Sequence, residues 1–550
     1  MSGAKFRPSD RVDFVVIGAG AAGGVVAKEL STAGFRVVVL EQGPYLREKD
    51  FSHDEIHYAY QPGLTNDPKS QPVLFRSSEK EEAKPRKMIG YGRQVGGGSV
   101  HYAANYWRFH ESDFQERSLF GDVPGAALAD WPIAYGELAP YYDKAERELG
   151  ISGLAGANPF EAPRSGPYPL PPMPVKSSGA LLDLGARKLG LHSFPAPLAI
   201  LSKPYRGRAA CTHCGFCSRF GCEMGAKSST LATVIPVAEK TGRCEVRPDC
   251  YVRKIEIDSN ARTTGVIYFD AKRREIFQRA KAVVVCANGV ETPRLLLMSK
   301  SKAFPNGLAN SSGLVGKHLM WDSTLSVYGV FEQPLNEYKS VRATRVVHDY
   351  YRSDPKRGFY GGGGIDARFG HYPIGFALSG LPPDAPRWGA EYKRLIGEYF
   401  NRTMSLASHA TSLPRESNTV TLDPRMKDAW GLPAVRITFD PHADDVKTLK
   451  WLREKQVAIL DAAGATRHWG PPAEALNASV HLMGTCRMGN DPKRSVVNPF
   501  SRSHDVPNLF IVDGSNFVTS ARQQPTATIQ ALAYRASAFM IQAAKRGESG

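Results

Sequence analysis

The 550-residue chain has no apolar run long enough to cross a bilayer. Its longest candidate, VDFVVIGAGAAGGVVA, is interrupted by Asp13, stops at Lys28 and is rich in glycine. No intrinsic membrane span is therefore expected. The first residues, MSGAKFRPSDR, carry no apolar core, so no signal peptide is expected there. No C-x-x-C-H occurs, so any haem would belong to a partner. No nucleic-acid-binding motif is present and no nucleic-acid partner is expected. Acidic residues are in deficit: 54 stand against 70 Lys and Arg, a formal charge of +16. A basic surface can draw in anions, anionic lipid or an acidic protein, or can serve solubility alone. The default compartment is the cytoplasm, where thiols stay reduced. Periplasmic or membrane-associated placement through a signal-bearing partner stays open.

What is present reads as ordinary globular protein, with 42% hydrophobic and 23% charged residues. The length favours two domains over one core. VDFVVIGAGAAGGVVAKELSTAGFRVVVLEQG predicts strand, glycine turn, helix and strand. Residues 45–90 read as loop, with SSEKEEAKPRK, 77–87, as a solvated charge run. The segment 157–176 is rich in proline and predicts an extended surface connection. Strand-rich sequence follows from Cys244 to Cys286. The region 310–470 mixes β-runs, the loop GFYGGGGID and a helix around VKTLKWLREKQVAIL.

Gly18, Gly20 and Gly23 form G-x-G-x-x-G between the first strand and the helix. Gly18 permits the tight turn, Gly20 lets backbone approach a pyrophosphate, and Gly23 lets helix and strand pack closely. The helix N-terminus offers free N–H groups to phosphate. Glu41 ends the second strand, where a carboxylate can accept ribose hydroxyls. Together these predict a dinucleotide site.

Further motifs follow in order. GRQVGGGSVHYAANYWR, 92–108, resembles the GG-x-S signature of the glucose–methanol–choline oxidoreductases. CANGVETPRLLLMS, 286–299, resembles their second signature, with Asn288-Gly289 in place of the usual Gly-Ala. VGKHLM, HLMGTCRMG and FIVDGSNFVTSARQQPTATIQALA complete the set. The resemblance spans residues 12–540 and implies FAD. It implies Val252 near the adenine, Asp513 near the ribityl or pyrophosphate region, and Val95 to Ser99, with Gly97 among them, against the flavin ring. His101 stands where some family members attach the flavin through a histidyl bond; the alternative is a histidine packed beneath the ring.

The resemblance also implies an α/β plus α+β architecture. Its Rossmann-like FAD-binding domain is discontinuous, at 10–110, 205–310 and 475–545. A substrate-binding cap on an antiparallel sheet takes 111–204 and 311–474. The implied reaction moves the carbon-bound hydrogen of an alcohol to the flavin as hydride, while a base takes the hydroxyl proton. His481 matches the family's base. Gln524 holds the place of its second polar residue, one methylene longer than the usual Asn. Gln523 and Arg522 are alternatives for that role, Arg522 also reading as a surface loop residue.

CTHCGFCSRFGC places Cys211, Cys214, Cys217 and Cys222 in one turn-rich segment. A reducing compartment disfavours disulfides, and zinc usually takes two separated pairs. The spacing is close to the C-x2-C-x2-C run of bacterial iron–sulfur sites, although four residues precede the last cysteine and no Cys-Pro follows. An iron–sulfur cluster, zinc and a metal-free turn all stay open. The segment resembles the flavoprotein subunits of gluconate, sorbitol and glucose dehydrogenases. That branch implies electron delivery to a cytochrome c partner, and a small chaperone-like subunit. The expected function is FAD-dependent dehydrogenation of a sugar, polyol or sugar acid. The alternatives are an oxidase that makes hydrogen peroxide and a non-catalytic FAD-binding electron-transfer subunit.

Overall fold

A computed structural model describes residues 5–321, 323–368, 372–474 and 479–548. The β-branched run Val12–Ile17 is buried on both faces, as a central parallel strand requires. It pairs in parallel with Val37–Leu40 on one side and Glu275–Val285 on the other. Cys244–Arg247 extends the sheet beyond Val37–Leu40, and Leu509–Ile511 also pairs in parallel with Glu275–Val285. The strands Tyr251–Ile257 and Thr263–Phe269 fold back antiparallel to complete a seven-stranded sheet. The helix Ala21–Thr32 leaves the first strand through the glycine turn and packs against the C-terminal helix Thr526–Lys545.

A second, six-stranded sheet is antiparallel throughout. Its central strand, Thr403–Ala410, lies between Ser323–Val330 and Gly363–Arg368. The helices Ser177–Lys188 and Ala443–Ala463 cover one face through Leu181, Leu325, Ile365, Leu406, Leu452 and Ile459. Side chains alternate along a strand. Residues of opposite parity, namely Thr324, Asp366, Arg368 and His409, therefore point to the other face. The register brings them together, because Thr324 and Gly364 both stand opposite His409.

The reading of residues 45–90 as loop needs correction. Val73–Arg76 is a strand paired in parallel with Pro433–Thr438, and Lys84–Pro85 pairs back on it. These strands belong to a small four-stranded sheet. A run of four residues flanked by charge carries too little periodicity to be seen beforehand. Residues between 106 and 173, including Tyr106, Trp131, Tyr142 and Met173, join the core of the dinucleotide sheet. Among the described residues, no helix is long and apolar enough to cross a membrane.

Candidate active site

A cavity of about 690 Å³ runs from the glycine turn to the free face of the antiparallel sheet. At its nucleotide end the main chain is pressed close. Gly18 has φ +93°, and a Cβ there would stand 2.6 Å from the Cys286 carbonyl oxygen. Gly97 approaches from the opposite wall, where a Cβ would meet the Gly20 Cα at 2.7 Å. Gly23 lies behind the cavity, where a Cβ would collide with the Gly18 carbonyl. Gly18 thus allows the tight turn and Gly23 the close packing of helix on strand.

Glu41 lines the cavity and accepts hydrogen bonds from Ala19 N at 2.9 Å and Gly43 N at 3.1 Å. Burial raises its carboxyl to about 7 against those two bonds. Asp513 accepts from Asn288 N, Thr292 Oγ1 and Ser515 N, and burial raises its pKa as well. Val252, Ser99 and His101 also line the wall. Val95 does not: it is fully buried in the core behind the turn, and its N–H donates to the Pro44 carbonyl at 3.0 Å. The role implied for Val95 against the ring therefore falls to Gly97, Gly98 and Ser99.

Several lining residues carry a buried polar atom without a hydrogen-bond partner: His101 Nε2, Asn105 Oδ1, Arg342 Nε and Gln524 Oε1. Buried polar groups are nearly always paired, so such atoms around one cavity mark a ligand site. The cradle of glycine backbone, the Glu41 carboxylate and the unmet polar atoms together suit a flavin dinucleotide. Burial, with Lys227 and Arg219 adding like charge, holds His101 down to about 4, so its imidazole is neutral near pH 7.

At the far end, His481 and His409 stack with ring centroids 6.1 Å apart. Gln524 Nε2 donates to His409 Nε2 at 2.6 Å, and Arg368 Nη2 donates to the same nitrogen at 2.9 Å. A guanidinium can only donate, so this nitrogen faces Arg368 as an acceptor. Arg368 is in turn clamped by Asp366 through Nε and Nη2. His481, His409 and Gln524 all line this end of the cavity, and His409 touches the other two. Nothing in the sequence singles His409 out, because MSLASHA reads as an ordinary strand.

Of the three candidates for the second role, Gln524 lines the cavity and the other two do not. Arg522 is not a surface residue: it is 1% exposed and pairs with Glu116 and Asp113. Its guanidinium is engaged there and Arg522 does not line the cavity. Gln523 donates Nε2 to the Arg108 carbonyl and also lies outside the cavity wall.

The cysteine segment borders the cavity. Its Ser218 and Arg219 line the cavity wall, and the Arg219 N–H donates to the His101 carbonyl at 2.7 Å. Cys211, Cys214, Cys217 and Cys222 all line one separate small cavity of about 20 Å³, beside the buried Lys227. All four thiols are free. Burial pushes Cys217 up to about 12 and Lys227 down to about 8. Lys227 Nζ donates to the carbonyls of Cys217 at 2.5 Å, Phe220 at 2.7 Å and Tyr102 at 3.2 Å, tying the segment to the flavin wall. As they stand, no three His, Cys, Asp or Glu side chains among the described residues are gathered tightly enough to hold a metal ion. The donor set, four thiols beside one buried cation, suits an iron–sulfur cluster chemically, while a cavity of this size has room for little more than a water.

Comparison with known proteins gives two matches described as GMC oxidoreductase, over residues 180–321 and 414–533, and one described as an NAD(P)-binding Rossmann-like domain, over 16–77. The chain is 35% identical to a 2-methyl-1,2-propanediol dehydrogenase of Mycolicibacterium austroafricanum, over 97% of this chain and 95% of that one. It is 29% identical to a gluconate 2-dehydrogenase flavoprotein of Pantoea cypripedii, over 95% and 92%. Among solved structures, pyridoxine 4-oxidase from Mesorbium loti shares the fold, with a TM-score of 0.66 at 19% identity, covering 96% of this chain and 99% of that one.

Proposed function

The chain belongs to the GMC oxidoreductase family and is a FAD-dependent oxidoreductase acting on CH–OH groups; we propose that it is a dehydrogenase of a sugar, polyol or sugar acid that passes electrons to an external acceptor. The observation that carries this reading is the meeting of His481, His409 and Gln524 at the end of a cavity whose other end is a dinucleotide cradle. Gly18, Gly20, Gly97, Ser99, Glu41, Val252 and Asp513 would hold FAD in that cradle, and the flavin would supply the acceptor for the substrate's hydride. His481 takes the hydroxyl proton as the carbon becomes a carbonyl. Gln524 has one Nε2 hydrogen committed to His409 and a second free for the reacting oxygen. Its unmet Oε1 can accept a neighbouring hydroxyl, as a polyol or sugar provides. His101, neutral and with Nε2 unpaired, suits attachment of the flavin.

Cys211, Cys214, Cys217 and Cys222 are proposed to hold an iron–sulfur cluster. Such a cluster would divide a two-electron reduction into single electrons for a cytochrome c partner. Support comes from the donor set and from the direct hydrogen bond between Arg219 and His101. In the rival reading oxygen is the acceptor, hydrogen peroxide is the product, and the cysteine segment is structural.

The test is anaerobic mixing with a panel of sugars, polyols and sugar acids while flavin absorbance is followed. His481→Ala should keep FAD and slow flavin reduction by about 100-fold or more, the scale of a lost general base. Near-normal reduction would remove His481 from the role. Protein purified without oxygen should contain iron, and Cys214→Ser should lose it while flavin reduction by substrate persists. Full flavin without iron, together with peroxide in air, would establish the oxidase reading instead.

A further inference from the structure

One guanidinium in the cavity wall forms no ion pair among the described residues. Arg342 lines the cavity just ahead of the strand Ala343–Val347. Among the described residues its hydrogen bond is from Nη1 to Ser218 Oγ, at 2.6 Å, and its Nε is buried with no partner. Arginine carries five N–H donors, so most of its capacity is unused. The nearby Asp366 is committed to Arg368. Burial, reinforced by the like charge of Arg368, brings the Arg342 guanidinium down to about 10. Among the described residues no carboxylate forms an ion pair with this half-buried cation, so part of the cost of its desolvation is not offset.

The distribution of charge along the cavity sharpens the point. Its carboxylates among the described residues are Glu41, Glu291 and Asp513. All three are engaged at the nucleotide end: Glu41 by Ala19 and Gly43, Glu291 by Tyr91 and Arg294, and Asp513 by Asn288 and Thr292. The end that holds His409 and His481 carries Arg342, with Arg368 already paired to Asp366, and has no lining carboxylate among the described residues. A recess of one sign enclosed by low-dielectric walls concentrates ligands of the other sign. A guanidinium matches a carboxylate in geometry as well as charge.

We propose that Arg342 anchors a carboxylate of the substrate, so that the enzyme acts on hydroxy acids of the sugar-acid class in preference to neutral sugars and polyols. The proposal rests on the dehydrogenase reading for the reacting CH–OH group, and it is tested in two separate measurements.

The first is binding without turnover. FAD-loaded enzyme is titrated with pentanoate and with pentanamide, neither of which carries an oxidisable CH–OH, and the flavin spectrum is followed. Pentanoate should bind at least about 10-fold more tightly, the scale of one charge-assisted hydrogen bond. Equal affinities in the native enzyme would overturn the anchor with no variant needed. In Arg342→Met the acid-to-amide ratio should fall by about 10-fold or more, and Arg342→Lys should restore part of it; a ratio unchanged in Arg342→Met also overturns the anchor. The second measurement is anaerobic flavin reduction by four- to six-carbon aldonates, each beside the alditol of the same length. Faster reduction by the aldonates supports the proposal. Reduction by the alditols alone overturns it and leaves the dehydrogenase reading intact. Reduction by neither class, nor by any other alcohol, removes the dehydrogenase reading and the substrate assignment with it, and the pentanoate titration then still decides whether Arg342 takes a carboxylate.

Discussion

Two glycines of one motif are expected to fail in different ways when each is replaced by alanine. At Gly23 a Cβ would lie 1.9 Å from the Gly18 carbonyl oxygen and 3.0 Å from its carbon. Both atoms are backbone, so the helix must move away from the strand by more than an ångström. Overpacking of that kind costs about 1–3 kcal/mol. Alanine recovers about 1 kcal/mol of helix propensity at most, so Gly23→Ala should destabilise the apo-protein. At Gly20 the nearest atom to a Cβ is the Gly97 Cα at 3.8 Å, an ordinary contact. Its φ of −74° suits alanine. Gly20→Ala should therefore leave the apo-protein's urea midpoint almost unchanged. The added methyl instead stands on the cavity wall that the motif is expected to present to the pyrophosphate. The same 1–3 kcal/mol then appears as a loss of FAD affinity of about 5- to 150-fold. Urea titration of both apo-proteins and fluorescence titration with FAD separate the two effects. Equal destabilisation of the apo-proteins, or unchanged FAD affinity in Gly20→Ala, would refute the division of labour.

Three further outcomes are expected. His409→Ala should slow flavin reduction by about 10-fold, and the His409→Ala/Gln524→Ala double variant should be little worse than either single one, because hydrogen-bonded partners are not additive; additive losses would show that the two act separately. If the flavin is bonded to His101, acid precipitation should leave its colour in the pellet and His101→Ala should release it; colour wholly in the native supernatant rules out the bond. Buried histidines and buried carboxylates pull in opposite directions in acid: burial holds His101 at about 4 and His110 and His318 at about 3, so each loses its contribution to stability as the pH drops below the ordinary histidine value of about 6.5, whereas Glu41, Asp113 and Asp445, raised to about 7, gain stability over the same window. His318→Asn, whose side chain tolerates the φ of +61°, should raise the urea midpoint at pH 5 relative to that at pH 7.5 when compared with the native protein; an unchanged difference between the two pH values would show that His318 does not contribute.

The glycine turn was legible because its physics is local. Strand, turn, helix and Glu41 lie within thirty residues of one another, and each carries its own pattern. His481, Gln524 and Asp513 were legible through resemblance alone, since one histidine in an apolar stretch has no periodic signature. His409, Arg368 and Arg342 were not legible. They stand on or beside strands whose polar positions alternate as a solvent-facing set would, yet Thr403–Ala410 is buried along its whole length. The sequence cannot say that the second face meets a cavity. Arg522 shows the same limit from another side. It reads as a loop residue, but its partner Glu116 lies 406 positions away, and only that pairing makes its burial tolerable.

The cysteine segment is hydrogen-bonded to several parts of the cavity wall at once. Within it Ser218 holds Arg342, Arg219 holds the carbonyl of His101, and the carbonyls of Cys217 and Phe220 hold Lys227. A change that unseats this loop therefore disturbs the proposed carboxylate anchor and the flavin wall together, whatever the thiols themselves do. Cys217 is the worst residue with which to probe the thiols, being buried and joined through its carbonyl to Lys227. Cys214 is the best, because it is exposed while still lining the thiol cavity. If Cys214→Ser removes iron and transfer to a cytochrome but keeps the pentanoate affinity and flavin reduction, the loop was intact and the thiols carry electrons. If it lowers all of these together, the loop has shifted, and loss of electron transfer alone would say nothing about a cluster.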